Sequence, residues 1–219
     1  MSSAARLTRR DAVADASVRL RTRSAWTRTT SLFALVFGLI ATACGASTAP
    51  APLAIHSNET WITRVMDHKQ ISLSVPSNWY VGEAWMIPGS FADLTGSLSN
   101  QTLSPPCRTG GNTIECGPPL TALQAGGVLV EVWQNGGPGW TLDHQPGTAT
   151  TVSGLAGRVA FAAGGQGQCV AMSADRTRTV VVAMPANPSD YFEIDICSRG
   201  VSDAVGARIL ESVQVTPTA

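Results

Sequence analysis

The sequence predicts an α+β domain in which an antiparallel β-sheet carries one or more packed helices. Three observations support this fold class. From residue 59 onward, short segments alternate apolar and polar side chains, as half-buried strands do. Clusters of Gly, Pro, Asn and Ser separate these segments and are typical of turns. Only one segment, near the carboxyl end, has a helical pattern, and strands followed by a late helix indicate an α+β architecture.

The first two strands are predicted on either side of a polar turn. In the first, Trp61, Thr63 and Val65 alternate with residues of the opposite face, and residues 71–75 repeat the pattern after residues 67–70. Pro76 ends the second strand, because proline has no N–H to donate to a neighbouring strand. Residues 88–120 are rich in Gly, Ser, Asn and Pro, and they predict an irregular connection that a compact domain has to tie down.

The carboxyl-terminal half has the strongest strand patterns. Residues 128–133 and 179–184 are apolar runs rich in valine, and residues 191–197 alternate. Shorter strands are predicted at residues 150–152, 158–162 and 169–172, with the glycine-rich residues 164–167 as a turn between two of them. Residues 202–211 predict the helix, because Ser202 suits the N-cap and Asp203 the first turn. Residues 212–215 predict a short closing strand.

The amino-terminal segment predicts export. Residues 1–43 carry seven arginines against two aspartates, a net charge of +5, and the apolar run at residues 32–40 leads through small residues to Cys44. This order of a positive start and a short apolar stretch is that of a signal peptide. A membrane-spanning helix needs roughly twenty apolar residues, so an uncleaved anchor is the less favoured alternative, as is an ordinary cleaved signal without a lipid.

Residues 40–44, Ile-Ala-Thr-Ala-Cys, resemble the lipobox of bacterial lipoproteins. In that family a diacylglyceryl group is attached to the cysteine, and signal peptidase II cuts before it. The resemblance implies that residues 1–43 are removed and that Cys44 anchors the protein to the cell membrane on the extracytoplasmic side. Residues 44–58, rich in Ala, Pro and Ser, are predicted to form a flexible tether. Residues 59–219 are then a single extracytoplasmic domain.

The charge of the body argues against a nucleic-acid partner. Residues 44–219 hold eight Lys or Arg against thirteen Asp or Glu, a net charge of −5. Binding to phosphates needs clustered basic side chains, and the sequence has no such cluster in this part of the chain.

Four cysteines remain in the body, and an even number in an exported chain predicts disulfides. Three pairings are possible, and local pairing of Cys107 with Cys116 and of Cys169 with Cys197 is the most economical. Loop-closure entropy gives these two bonds about 2.7 and about 3.6 kcal/mol of stabilisation. Zinc is the competing interpretation, but zinc sites usually have closely spaced cysteine or histidine pairs, which these cysteines do not form.

Carboxylates are the only candidates for catalysis, since the sequence lacks the common hydrolase, metalloprotease and phosphate-binding motifs. Glu131, Glu193 and Asp195 could support an envelope hydrolase that acts on glycans. We favour a solvated outer face for Glu193 and Asp195, because apolar neighbours fill the other side of their strand. No catalytic residue, cofactor or metal site is therefore predicted, and the three histidines are placed at the surface: His56, His68 and His144.

Two tryptophans are candidates for a binding surface. Trp85 and Trp140 fall in stretches that resemble loops, and exposed aromatic side chains often contact sugars or proteins. The other tryptophans of the body lie in or beside predicted strands and are assigned to the core: Trp61, Trp79 and Trp133.

Residues 71–79 resemble the strand-Pro-x-x-Trp entry of the PsbP-like α/β/α sandwich domains, and residues 208–215 resemble their exit from the last helix to the last strand. The resemblance implies a non-catalytic domain that binds a partner or assists an assembly, and it assigns no functional residues. We therefore expect a membrane-anchored binding or assembly module with a protein or glycan partner in the cell envelope. A hydrolase and a purely structural envelope protein are the alternatives.

Overall fold

The computed structural model describes residues 58–66, 70–86, 91–105, 107–110, 113–184, 187, 189–201 and 203–216. The predicted signal peptide, Cys44 and nearly all of the tether lie outside these residues, as do His56 and His68. Within the described ranges, none of the helices has the length and apolar character needed to span a bilayer.

The described chain forms three antiparallel sheets. The first has the order β1-β2-β13 and consists of β1 (Trp61–Met66), β2 (Ile71–Pro76) and β13 (Gln214–Val215). The second has the order β3-β5-β8-β12-β11-β10-β9, with β4 also paired to β5. Its strands are β3 (Tyr80–Gly82), β4 (Trp85–Met86), β5 (Ala92–Ser99), β8 (Gly127–Gly136), β9 (Thr148–Val152), β10 (Leu155–Ala163), β11 (Arg176–Ala183) and β12 (Asp190–Arg199). The third is the hairpin of β6 (Cys107–Gly110) and β7 (Thr113–Cys116).

Helices are a minor part of the described fold. They are α1 (Gln168–Ala171), α2 (Asp203–Glu211) and the 3-10 helix Leu142–His144. The prediction of an α+β class with a PsbP-like α/β/α sandwich is therefore wrong, and the fold is mainly β. The error has a physical cause: residues 88–120, predicted as irregular, contain β5, β6 and β7. Although its side chains are mostly small or polar, β5 forms a strand because β8 pairs with one of its edges and β3 and β4 pair with the other.

The two larger sheets pack face to face around the main core. On the inner face of the eight-stranded sheet, alternate residues of β8 and β12 meet the apolar residues of β2, and Ile209 of α2 closes the same core. Burial of each such side chain stabilises the fold by about 1.5–3 kcal/mol. The residues that form this contact are each at most 2% exposed: Ile71, Leu73, Val75, Val128, Val130, Val132, Phe192, Ile194 and Ile196.

The predicted disulfide pairing is confirmed. Cys107 is bonded to Cys116 across the β6–β7 hairpin, and Cys169 of α1 is bonded to Cys197 of β12. The predicted strand at residues 169–172 is wrong, since this segment is α1 and the turn that follows it. A Cβ atom at Gly165 would lie 2.7 Å from the backbone of Val170, so the glycine-rich turn can fold tightly against α1.

Candidate functional site

The second face of the eight-stranded sheet carries three acidic residues. Glu131 of β8 lies directly opposite Asp195 of β12, and Glu193 lies opposite Trp133. Successive side chains of a strand point to opposite faces, and the neighbours of these residues fill the core, so the acids share the other side. We call this side the carboxylate face, defined by Glu131, Glu193 and Asp195.

Glu131 is fully buried and has no hydrogen-bond partner in the described part of the chain. Its side chain is 0% exposed, and neither carboxylate oxygen makes a hydrogen bond. The hydroxyl of Ser97, opposite Glu131 on β5, and the indole N–H of Trp133 are also buried without a partner. Buried polar groups are nearly always paired, so this concentration of unpaired groups marks a special position in the sheet.

Burial dominates the ionisation of Glu131. It raises the pKa of this carboxyl from 4.5 to about 7, and the negative charge of Asp195 adds to the increase. The indole N–H of Trp133 lowers the pKa in part, although the two groups do not reach the geometry of a full hydrogen bond. Glu131 is therefore poised to gain or lose a proton near neutral pH.

The other two acids are half-buried, so the prediction of a solvated outer face for them is wrong. Burial and then the charge of Asp195 raise the pKa of Glu193 to about 7, while Asn135, which donates a hydrogen bond of 2.8 Å, lowers it. Burial also raises the pKa of Asp195, and the donating hydroxyl of Thr179 lowers it. The negative charge of Asp195 thus raises the pKa of both glutamates.

A small second core explains why the carboxylate face is covered. It joins the sheet to the segment around Leu123 and to the segment around α1. Its buried members are Leu123, Leu129, Cys169, Met172 and Cys197. The second disulfide lies within this cluster, so it holds α1 against the sheet.

A cavity of about 450 Å³ lies over Glu131. The strands contribute Trp85, Leu94, Glu131 and Trp133 to its lining. One wall is the segment 116–121, which begins at the disulfide-bonded Cys116, and the other contains Gln168, Ala171 and Met172 around the disulfide-bonded Cys169. The disulfide of Cys169 ties the second wall to β12, whereas the disulfide of Cys116 closes the β6–β7 hairpin that precedes the first wall. None of the surface of Glu131 is accessible to water, so this residue lies behind the other side chains of the lining.

The two tryptophans predicted for a binding surface are not brought together. Trp85 is half-buried in the cavity wall, whereas Trp140 is stacked on Tyr191 with ring centroids 4.2 Å apart and planes at 9°. The aromatic partner of Trp85 in the cavity is Trp133, which the sequence assigned to the core and which is indeed only 8% exposed. The signal that could have found this site is Glu131 itself, a lone acid inside the apolar run 128–133.

No basic side chain forms an ion pair with an acid of the carboxylate face in the described part of the chain. Arg158 and Arg199 lie on this face, but they donate to the backbone carbonyls of Gly147 and Leu123. The ion pair found among the described residues joins Arg178 to Asp203, on the inner side and against α2.

Other candidate sites have fewer unpaired groups that could bind a metal ion or a ligand. The described residues contain no group of three or more His, Cys, Asp or Glu side chains arranged to hold a metal ion, and His144 is exposed on its 3-10 helix. A second cavity of about 360 Å³ contains Asn100 and Gln101, but both side chains hydrogen-bond to the backbone. Leu120 lines both cavities.

No protein-family model matches the sequence, and no curated protein matches it significantly either. The chemistry of the site is therefore inferred from the residues that line the cavity. An apolar pocket with a few polar groups is the usual form of a ligand site. The carboxyl of Glu131 can accept hydrogen bonds when ionised and can donate one when protonated.

Proposed function

We propose that this protein is a lipid-anchored extracytoplasmic binding protein and that its ligand site is the cavity over Glu131. The observation that supports this most strongly is a fully buried, unpaired carboxyl in the lining of an apolar cavity. A buried polar group without a partner costs about 1–3 kcal/mol. A ligand that pairs with Glu131 removes this cost, whereas a purely structural protein gains nothing from it.

The proposed anchor depends on Cys44 and on its lipobox-like context. Two acyl chains give stable membrane attachment, whereas one gives only marginal binding. The two disulfides of the body support the location, because such bonds persist in oxidising compartments outside the cytoplasm.

Metabolic labelling with palmitate tests the anchor. The native chain should take up the label, and Cys44→Ala should not. Ser47→Ala, a matched change three residues further along the tether, should be labelled as well as the native chain. Label on Cys44→Ala equal to that of the native chain would contradict the lipid assignment.

Native mass spectrometry of the full-length protein, extracted from membranes, tests the cavity. We expect a bound small molecule on the native chain and on Val170→Phe, but not on Ala171→Phe. Ala171 lines the cavity, whereas its neighbour Val170 is 61% exposed and is absent from the lining. An adduct that survives Ala171→Phe would place the ligand elsewhere, and a native chain without any adduct would count against the binding function.

A hydrolase that acts on glycans is the second candidate, and one observation favours it. Burial raises the pKa of Glu131 to about 7, and this residue lies opposite Asp195, so the pair could supply an acid and a base. Binding is preferred because Glu131 is in the cavity lining and Asp195 is not. Nitrophenyl glycosides test the alternative: hydrolysis that both Glu131→Gln and Asp195→Asn abolish would favour the enzyme.

A further inference from the structure

We infer that the ligand of this cavity is an organic cation, an ammonium group with N–H donors on an apolar or aromatic body. This inference rests on the proposed function, because it assumes that the cavity over Glu131 is the binding site. It adds the charge, the hydrogen-bonding character and the shape of the ligand.

The charge of the ligand follows from the uncompensated acids. Glu131, Glu193 and Asp195 share one face, and both arginines of that face are bonded to backbone carbonyls. Glu131 is also the one charged residue among the described residues that line the cavity, so a complementary ligand carries positive charge. An anionic ligand would add a further negative charge where the described residues supply no cation to pair with it.

The hydrogen-bonding character follows from Glu131. Both of its oxygens are buried without a donor, and an ionised carboxylate can only accept hydrogen bonds. A primary or secondary ammonium group brings both the N–H donors and the charge that this residue lacks. A quaternary ammonium group would supply the charge but would leave the oxygens without donors.

The apolar body follows from the rest of the lining. Trp85 and Trp133 offer indole rings, which attract cations through their faces. Leu94, Pro119 and Met172 complete an apolar surface, and the volume of about 450 Å³ lies in the range of small-molecule sites. A small hydrated metal ion would leave this apolar surface without a partner.

The charge of Glu131 depends on the groups that face it. Across β12 these are Asp195 and, one pair further along, Glu193; across β5 the directly opposite residue is Ser97. Asp93 of β5 pairs with Gln134, whose side chain belongs to the opposite face. The covering segments, α1 and residues 117–121, contain no charged residue. Among the described residues that line the cavity, an ammonium ligand therefore meets one charged group, the acid Glu131.

Calorimetric titration of the full-length protein in lipid nanodiscs tests the inference with three matched probes: 2-phenylethylammonium, 2-phenylethanol and phenylacetate. At a pH about one unit above the pKa of Glu131, we expect the ammonium to bind at least about tenfold more tightly than the alcohol, as a charge-assisted hydrogen bond allows. Phenylacetate should bind most weakly. Glu131→Gln should abolish the preference, and the exposed Glu83→Gln should keep it.

The outcomes separate the inference from the proposed function. Equal affinity for the ammonium and the alcohol, or a preference that survives Glu131→Gln, would overturn the cationic ligand and leave a binding site for neutral apolar molecules. Tighter binding of phenylacetate would overturn it as well. If no probe binds and the native protein also carries no adduct, both proposals fail. If Glu131→Gln does not fold, the preference of the native protein between the ammonium and the alcohol decides.

Discussion

Glu131 and Asp195 lie directly opposite each other on β8 and β12, two carboxylates on one face with no basic side chain paired to either among the described residues. Like charges in this position destabilise a sheet. Burial makes the effect larger, because the carboxyl of Glu131 is fully buried and makes no hydrogen bond. The pair therefore weakens the folded state whenever both groups are ionised.

The first prediction is that stability falls as the pH rises from about 4.5 to about 7. In this window the folded protein keeps the proton of Glu131, whose pKa is about 7, while the unfolded chain has lost it. The loss is on the order of 3 kcal/mol for this residue and is complete above its folded pKa. Glu193 acts in the same direction, with a smaller effect because it is only half-buried.

Urea unfolding at about pH 5 and about pH 8 measures this dependence. Glu131→Gln should be more stable than the native protein at the higher pH and should reduce the difference between the two conditions. Glu83→Gln, a matched change at an exposed position, should leave the difference unchanged. An undiminished pH dependence in Glu131→Gln would show that this carboxyl is not its source.

The second prediction concerns the two disulfides. Replacing Cys169 and Cys197 by alanine should cost about 3.6 kcal/mol from loop closure alone, and replacing Cys107 and Cys116 about 2.7 kcal/mol. The first pair should cost more than this, because both of its cysteines are also buried in the second core. Equilibrium unfolding of the two double variants provides the comparison, and a larger loss for Cys107 and Cys116 would contradict it.

The third prediction concerns the turn that leads into α1. Gly165→Ala should destabilise the protein by about 1–3 kcal/mol, because the added Cβ would overlap the backbone of Val170. Gly137→Ala is the control, since a Cβ there meets no atom within 4 Å. Thermal unfolding should show a lower Tm for Gly165→Ala and a nearly unchanged Tm for Gly137→Ala. Equal changes in Tm for the two variants would contradict the close approach of Gly165 to the backbone of Val170.

The fourth prediction concerns the start of α2. The Nε and Nη2 groups of Arg178 donate to the two carboxylate oxygens of Asp203, which lies in the first turn of the helix. Asp203→Asn should cost about 0.5–1 kcal/mol, since the pair is partly exposed and a negative charge at this end also favours the helix. Added salt should reduce the difference. Glu211→Gln, at the other end of α2, should have no cost in the same urea titration.

The alternation of apolar residues predicted the strands that face the main core. It identified β2, β8, β11 and β12, because their inner side chains alternate or form apolar runs. It missed β5, whose sequence Ala-Asp-Leu-Thr-Gly-Ser-Leu-Ser looks like a loop. Pairing with β8 determines that strand, and such pairing between distant segments leaves no pattern in a local stretch of sequence.

The site was less predictable than the core. The cysteine spacing predicted both disulfides, including the one that holds α1 to β12, and Trp85 was a candidate for binding. The burial of Glu131 could not be predicted, because it depends on strands and covering segments that are distant in sequence. Trp140 was chosen on the same grounds as Trp85, but its ring is occupied by stacking on Tyr191.

The disulfide bond beside the cavity also affects the conditions under which the chain can complete its folding. A newly made chain has five free cysteines, and it lacks the covalent bond between Cys169 and Cys197 that holds α1 against β12 beside the cavity. In a reducing environment only noncovalent packing would hold α1 to the sheet. We therefore expect the proposed ligand binding to depend on whether the chain reaches an oxidising compartment, where this bond can form.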